Sequence, residues 1–315
     1  MKIICGTDFS EPAKEAAEVA AAMAVKLMMP LHLVHCIADW MAPADLPASQ
    51  FLDSGARDML VAESLRLARP GLEITTELFY GSASHHLVGA ASDDACFVVL
   101  GSTGKGSMQK LLLGSVSENV AQASSVPVLI VKNAEPLLNW LLNRTAMRTL
   151  CAAELTETGD AAVAAIEHLS RLGELFLEIA HIVPTDLLLI QGTGFTDAPE
   201  KDGPDAADDV VSLQRDMAEQ SRHALGITPQ AVHVRESLGN PAYEFLSLAH
   251  EHKTELIVLG SHHRHGVSRL LHPSFSRRIL SHATANVLCV PASTPVEGGA
   301  HPHLGEAREL ASAID

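Results

Sequence analysis

Short apolar runs alternate along this chain with longer stretches in which apolar and polar positions follow a helical spacing. Lys2–Gly6, Leu31–Ile37, Glu73–Phe79, Phe97–Leu100 and Val128–Val131 read as strands. Between them lie helix-like segments: one opening near Ser10, one near Ser54–Ala68, one near Ala83–Ala91, and one carrying Glu118–Ala123. The first has a Ser cap and an early Pro12, both suited to a helix N-terminus. Strand and helix in regular alternation predict an α/β fold, in which a buried parallel sheet is covered by helices.

The pattern then repeats. Met1–Glu11 lines up with Met147–Glu157 at a constant offset, and Phe97–Gly101 (FVVLG) with Ile257–Gly260 (IVLG) at a larger one. Ser125–Val131 matches Thr284–Val290 without a gap. The change of offset places insertions in the second copy, one of them the acidic, Pro- and Gly-containing stretch Thr196–Asp209, which reads as a surface loop. The organisation expected is a first domain at 1–133, a linker at 134–146, a second domain at 147–292 and a polar tail at 293–315.

Composition narrows the partners. The 315 residues carry a formal net charge of −16, which argues against nucleic acid or an anionic membrane surface. Apolar residues make up 47% but aromatics only 4%, so the cores are aliphatic. The most apolar helical stretch, Ala16–Met29, contains Glu18 and Lys26 and is no membrane span. The five cysteines form no Cys-x-x-Cys pair and lie in or beside strand-like runs, as reduced, buried thiols do. The chain enters a strand at once with no signal-peptide pattern, and a cytoplasmic location is expected.

The candidate chemistry sits after the fourth strand. Gly101-Ser102-Thr103-Gly104 is followed by nine residues and then Gly114-Ser115-Val116-Ser117, which opens a helix. Strand, glycine-punctuated loop and helix N-terminus together make an anion cradle. Glycine lets backbone approach a phosphate closely, and the exposed N–H groups and the helix dipole favour negative charge. Hydroxyls at Ser115 and Ser117 add donors, and Lys105 and Lys110 are either further positive charge or ordinary solvated lysines. Each residue alone has a plainer reading: Asp8 as the cap of the first helix, Gly101 as a strand exit, Ser115 and Ser117 as N-caps, Cys36 as a core thiol.

Asp8 at the end of the first strand, with Gly-x2-Gly-x9-Gly-Ser after the fourth, resembles the universal stress protein family, in tandem form and in its ATP-binding branch. The resemblance covers nearly the whole chain. It implies two tandem doubly wound five-stranded parallel sheets of the adenine nucleotide alpha hydrolase-like kind, each in the order 3-2-1-4-5, forming an internal pseudo-dimer. It implies an adenine nucleotide, ATP with or without Mg, at the switch point between strands one and four. Asp8 then matches the acid at the adenosine moiety. Cys36 matches the position after strand two whose backbone meets the adenine edge. Gly101, Ser102, Thr103 and Gly104 match the first turn of the phosphate loop, and Gly114, Ser115, Val116 and Ser117 its second half. It further implies pairing of last strands, here Pro127–Val131 with Asn286–Val290, and it admits a homodimer of the chain.

The second copy departs from this pattern. Gly260 and Ser261 persist, but His263 stands at the position of Gly104, Pro273 at that of Gly114, and Glu154 at that of Asp8. Proline removes an N–H donor and histidine adds bulk, so this half is expected to bind ATP weakly or not at all. The replacing segment, with His262, His263, His265, His272 and several arginines, admits three readings. It is a solvated surface, a site for another anion, or a zinc site, the last matching no established histidine spacing. The functional expectation is an ATP-binding, stress-responsive regulatory module with one working site. A slow ATPase or autophosphorylating protein, with Ser102, Thr103, Ser115 and Ser117 as acceptors, is the first alternative, and an adaptor without nucleotide the second. No Walker Gly-Lys-Ser/Thr, arginine finger or general base beyond Asp8 supports faster chemistry in the first copy.

Overall fold

The computed structural model describes residues 1–38, 47–104, 113–152, 157–184, 228–237, 239–261 and 273–292. In the first copy, β1 (Lys2–Gly6), α1 (Glu11–Leu27), β2 (Leu31–Ile37), α2 (Pro47–Leu67), β3 (Ile74–Tyr80), α3 (Ala83–Asp94), β4 (Ala95–Gly101), α4 (Ser115–Ala123) and β5 (Val128–Val131) follow one another. A short helix α5 (Ala134–Leu141) leads into the second copy. There come β6 (Met147–Ala152), α6 (Glu157–Ser170), β7 (Leu175–Pro184), β8 (Ala231–Ser237), α7 (Pro241–Glu251), β9 (Leu256–Ser261), α8 (Pro273–His282) and β10 (Asn286–Pro291).

Among the described residues ten strands form one sheet in the order β3-β2-β1-β4-β5-β10-β9-β6-β7-β8. Read from either end the order is the same doubly wound half-sheet, 3-2-1-4-5. Neighbouring strands within each half are parallel. The halves meet at β5 and β10, which are antiparallel, with Val128 opposite Cys289, Leu129 opposite Leu288 and Ile130 opposite Val287. In the alignment of the copies Leu129 corresponds to Leu288, Val128 to Val287 and Ile130 to Cys289. The seam therefore has the self-complementary form of a two-fold dimer interface, with its pseudo-axis at the leucine pair. It also covers the two strand edges that separate domains would expose.

Helices lie on both faces, so the central strands need no polar side: β1, β4, β5 and β10 are buried on both. One core gathers α1, α5 and α6 against Ile3, Leu129, Cys151 and Leu288, and the other gathers α3, α4, α7 and α8 against Ile4, Val98, Ile257 and Val287. Each core runs through both copies. Polar groups fasten the seam as well. The Asn286 carboxamide oxygen accepts the N–H groups of Lys132 and Asn133 at 2.9 and 3.0 Å. Lys132 Nζ donates to the carbonyls of Leu280 and Ala283 at the end of α8, where a cation suits the helix dipole. Burial pushes its pKa down to about 8. Arg277 of α8 pairs with Glu118 of α4.

One sequence expectation is corrected. The helix expected near Ser54–Ala68 begins at Pro47. The segment expected as a linker, 134–146, carries α5 over Ala134–Leu141. Asn133 accepts the Glu135 N–H as its cap, and Leu137, Trp140 and Leu141, at helical spacing, are buried. Trp140 packs so closely on Gly173 that a Cβ there would lie 2.5 Å from its Nε1. The expected tail, 293–315, lies outside the described residues. No helix among the described residues is long and apolar enough to cross a membrane.

Candidate functional site: the crevice between the first and fourth strands

The order of the first half-sheet reverses between β1 and β4, and a crevice opens at the carboxyl ends of such strands. It encloses about 710 Å³, within the range of pockets that bury a small organic ligand. Nine of the ten residues singled out in the sequence line it: Asp8, Cys36, Gly101, Thr103, Gly104, Gly114, Ser115, Val116 and Ser117. The tenth, Ser102, shapes the loop instead. Its N–H donates to Val131 and its carbonyl accepts the Gly114 N–H at 2.8 Å, clasping the two ends of the glycine loop together.

Asp8 is aimed by a tight turn. Thr7 Oγ1 accepts the N–H of Phe9, and Phe9 takes a left-handed backbone conformation with φ of 62°, a disfavoured state for an aromatic residue. The Phe9 ring packs on His35 at 4.5 Å between centroids, and His35 Nδ1 lies 2.7 Å from the Thr7 carbonyl, so packing and hydrogen bonding hold the turn. Asp8 Oδ1 accepts both the N–H and the hydroxyl of Ser10, at 3.0 and 2.5 Å. The cap of α1 is Ser10, which accepts from Ala13, and not Asp8. The other carboxylate oxygen, Oδ2, faces the glycine loop. A Cβ on Gly104 would sit 2.7 Å from it.

The glycines differ in what requires them. At Gly101 a Cβ would lie 2.8 Å from the Pro12 carbonyl, so the strand end passes directly against the first turn of α1. At Gly104 the neighbour is Asp8. Gly114 has only ordinary contacts at 3.6 Å and beyond, and a negative φ of −70°. It serves as the N-cap of α4 and supplies no side-chain bond to that helix. The N–H groups of Ser115, Val116 and Ser117, the first turn of α4, are therefore left to face the crevice. The Ser117 hydroxyl is committed elsewhere: it is buried and donates to the Gly101 carbonyl at 2.7 Å. What Ser117 can offer a ligand is its backbone N–H.

The far end of the crevice is apolar, formed by Val34, Ala83 and Leu87, residues for which the sequence held no motif. Cys36 is part of this wall. It lies inside β2 near its end, not after the strand as the resemblance implied, and its thiol donates weakly to the Gly81 carbonyl at 3.4 Å. The crevice is thus two-ended, with an apolar wall from β2 and α3 at one side and the glycine loop with the first turn of α4 at the other. Among the described residues that line it, Asp8 is the one carboxylate and no lysine or arginine is present. Lys105 and Lys110 lie outside the described residues.

In the second copy, α8 repeats the fastening of α4, with Ser276 Oγ donating to the Gly260 carbonyl at 3.3 Å. Glu154, His262, His263, His265 and His272 lie outside the described residues.

Comparison with known proteins agrees with the duplication. A universal stress protein of Mycolicibacterium smegmatis is 26% identical over 306 residues, spanning 91% of this chain and 96% of that protein. A universal stress protein from Archaeoglobus fulgidus has the same fold, with a TM-score of 0.65 at 19% identity over 93% of this chain and 98% of its own. A universal stress protein solved in complex with cAMP is 25% identical, with a TM-score of 0.32, over 42% of this chain and 96% of its own. The model of the universal stress protein family matches residues 1–132 and again 147–291, and the chain belongs to that family.

Proposed function

We propose that the first copy binds one adenine nucleotide, ATP foremost, and that the chain works as a nucleotide-dependent regulatory module in a stress response. The observation that carries this reading is the two-ended crevice. Its apolar slot suits a base, Asp8 stands at the strand end where a ribose hydroxyl can donate to a carboxylate, and the uncapped first turn of α4 suits phosphate oxygens. The phosphates are where a divalent ion such as Mg would bind.

Turnover is at most slow. Among the described residues the crevice offers one carboxylate, already engaged by Ser10, and the Ser117 hydroxyl is spent on Gly101. The ligand biases the conformation or partners of the chain. Equal ATP hydrolysis by wild type and Asp8→Ala would end the enzymatic alternative.

The test is to denature freshly purified protein and quantify the released nucleotide. About one adenine nucleotide per chain is expected. Two per chain would overturn the reading of the second copy as degenerate. None, together with no rise of melting temperature on adding ATP or cAMP, would leave an adaptor without nucleotide.

A further inference from the structure

Away from the crevice, toward the amino-terminal ends of the strands of the second copy, three metal-ligating side chains converge from three elements. Glu178 stands on β7, His233 on the edge strand β8, and His252 at the C-cap of α7. Glu178 Oε2 lies 2.8 Å from His252 Nδ1 and 3.4 Å from His233 Nε2. One ligand atom from each residue falls within 4.8 Å of the other two.

Several features of the trio are hard to explain as packing alone. His233 Nε2 is buried and makes no hydrogen bond, although it lies near the carboxylate, and an orphaned buried nitrogen requires a partner. Glu178 is largely buried, and among the described residues its ion-pair partners are these two histidines. Arg235, on the same strand as His233, is taken by Glu251. The Glu178 carboxylate also lies against the C-terminal end of α7, whose dipole is negative, and a cation would suit both.

We propose that Glu178, His233 and His252 form a binding site for a divalent transition metal, zinc first, in the C-terminal copy. Two imidazoles and one carboxylate favour zinc over the oxygen-seeking magnesium and calcium. Tetrahedral zinc with ligands at about 2.0–2.1 Å sets its donors roughly 3.3–3.4 Å apart, which the Glu178–His233 separation of 3.4 Å matches and the Glu178–His252 separation of 2.8 Å would reach by a side-chain shift of about half an ångström. The side chains retain 11, 20 and 31% exposure for Glu178, His233 and His252, enough for an ion to enter and for solvent to fill a fourth position. The metal would clasp the outermost strand β8 to β7 and to the end of α7. The site is independent of the nucleotide crevice.

The experiment is a calorimetric titration of the chelator-stripped full chain with Zn²⁺ alone, with Mg²⁺ as the contrast. It is run on wild type, on Glu178→Gln, His233→Gln and His252→Gln, and on a loop variant combining His262→Gln, His263→Gln, His265→Gln and His272→Gln. The expected result is one zinc that the loop variant keeps and that each trio variant binds more than about 100-fold more weakly, beyond the usual effect of a group behind the ligands. His252 lies at the solvent side of a helix end, so metal-free His252→Gln should melt with wild type and separate lost ligation from lost folding. Zinc binding that follows the loop histidines and ignores the trio, or no zinc binding by wild type, would overturn the proposal.

Discussion

Ser117 in the first copy and Ser276 in the second make the same hydrogen bond, to the carbonyls of Gly101 and Gly260. Around that shared bond the copies part: Gly104 and Gly114 in the first stand where His263 and Pro273 stand in the second. A residue that both halves keep, including the half without the full glycine pattern, is a fastening between helix and strand. A residue that only one half keeps is a candidate for the ligand. The comparison separates fold from site inside a single motif, and it removes the Ser117 hydroxyl from the list of phosphate donors.

The largest effect tests what the halves share. Leu288, 1% exposed at the centre of the seam, cannot accept a charge, and Leu288→Asp should destabilise the chain by about 4 kcal/mol or more, read by urea denaturation. A loss below about 1 kcal/mol would mean that the halves fold without the seam.

What differs between the halves is tested by making the first resemble the second. Gly104→His should weaken ATP binding about 100-fold, roughly 2.7 kcal/mol, because its Cβ alone would meet the Asp8 carboxylate. Gly114→Ala, which meets only ordinary contacts, should leave the stability of the ligand-free protein within about 0.5 kcal/mol of wild type.

Lys132 gives a pH test of the seam. Its pKa falls from 10.5 to about 8 on folding, so between these values the unfolded chain holds the proton that the native chain has lost. Stability from this group therefore rises with pH across that window and is lost as pH falls through 8. The stability of wild type relative to Lys132→Met should grow by on the order of 2 kcal/mol from pH 7.5 to pH 10. A flat difference would show that the two carbonyl bonds hold the ammonium at its usual pKa.

A smaller loss than at the seam concerns the shared fastening. Ser117→Ala and Ser276→Ala should each cost about 1 kcal/mol of stability, and Ser117→Ala should change ATP affinity by less than about threefold. A large affinity loss in Ser117→Ala alone would restore its hydroxyl to the ligand.

Much of this was legible in the chain. Strand positions followed from solid apolar runs such as Phe97–Leu100, because strands buried on both faces have no polar alternation to hide them. The crevice followed from glycine spacing, since backbone approach leaves a residue-type signature. The apolar slot did not, because Val34, Ala83 and Leu87 are indistinguishable in sequence from core. The helix α5 was hidden by its own start signals: Asn133 and Pro136 look like a loop, yet asparagine caps a helix and proline is tolerated in its first turn. The trio of Glu178, His233 and His252 was invisible because its members lie on three elements and only the fold assembles them.

The ion pair between Glu118 and Arg277 has a consequence for how such chains diverge. The two positions correspond in the alignment of the copies, so across a true two-fold axis each would face its own twin, acid against acid or base against base. Joining the copies in one polypeptide lifts that constraint, because a substitution then occurs once per assembly. Attraction can replace repulsion at the seam, one half can surrender its glycines while the other keeps them, and a one-to-one stoichiometry of ligand to assembly becomes heritable.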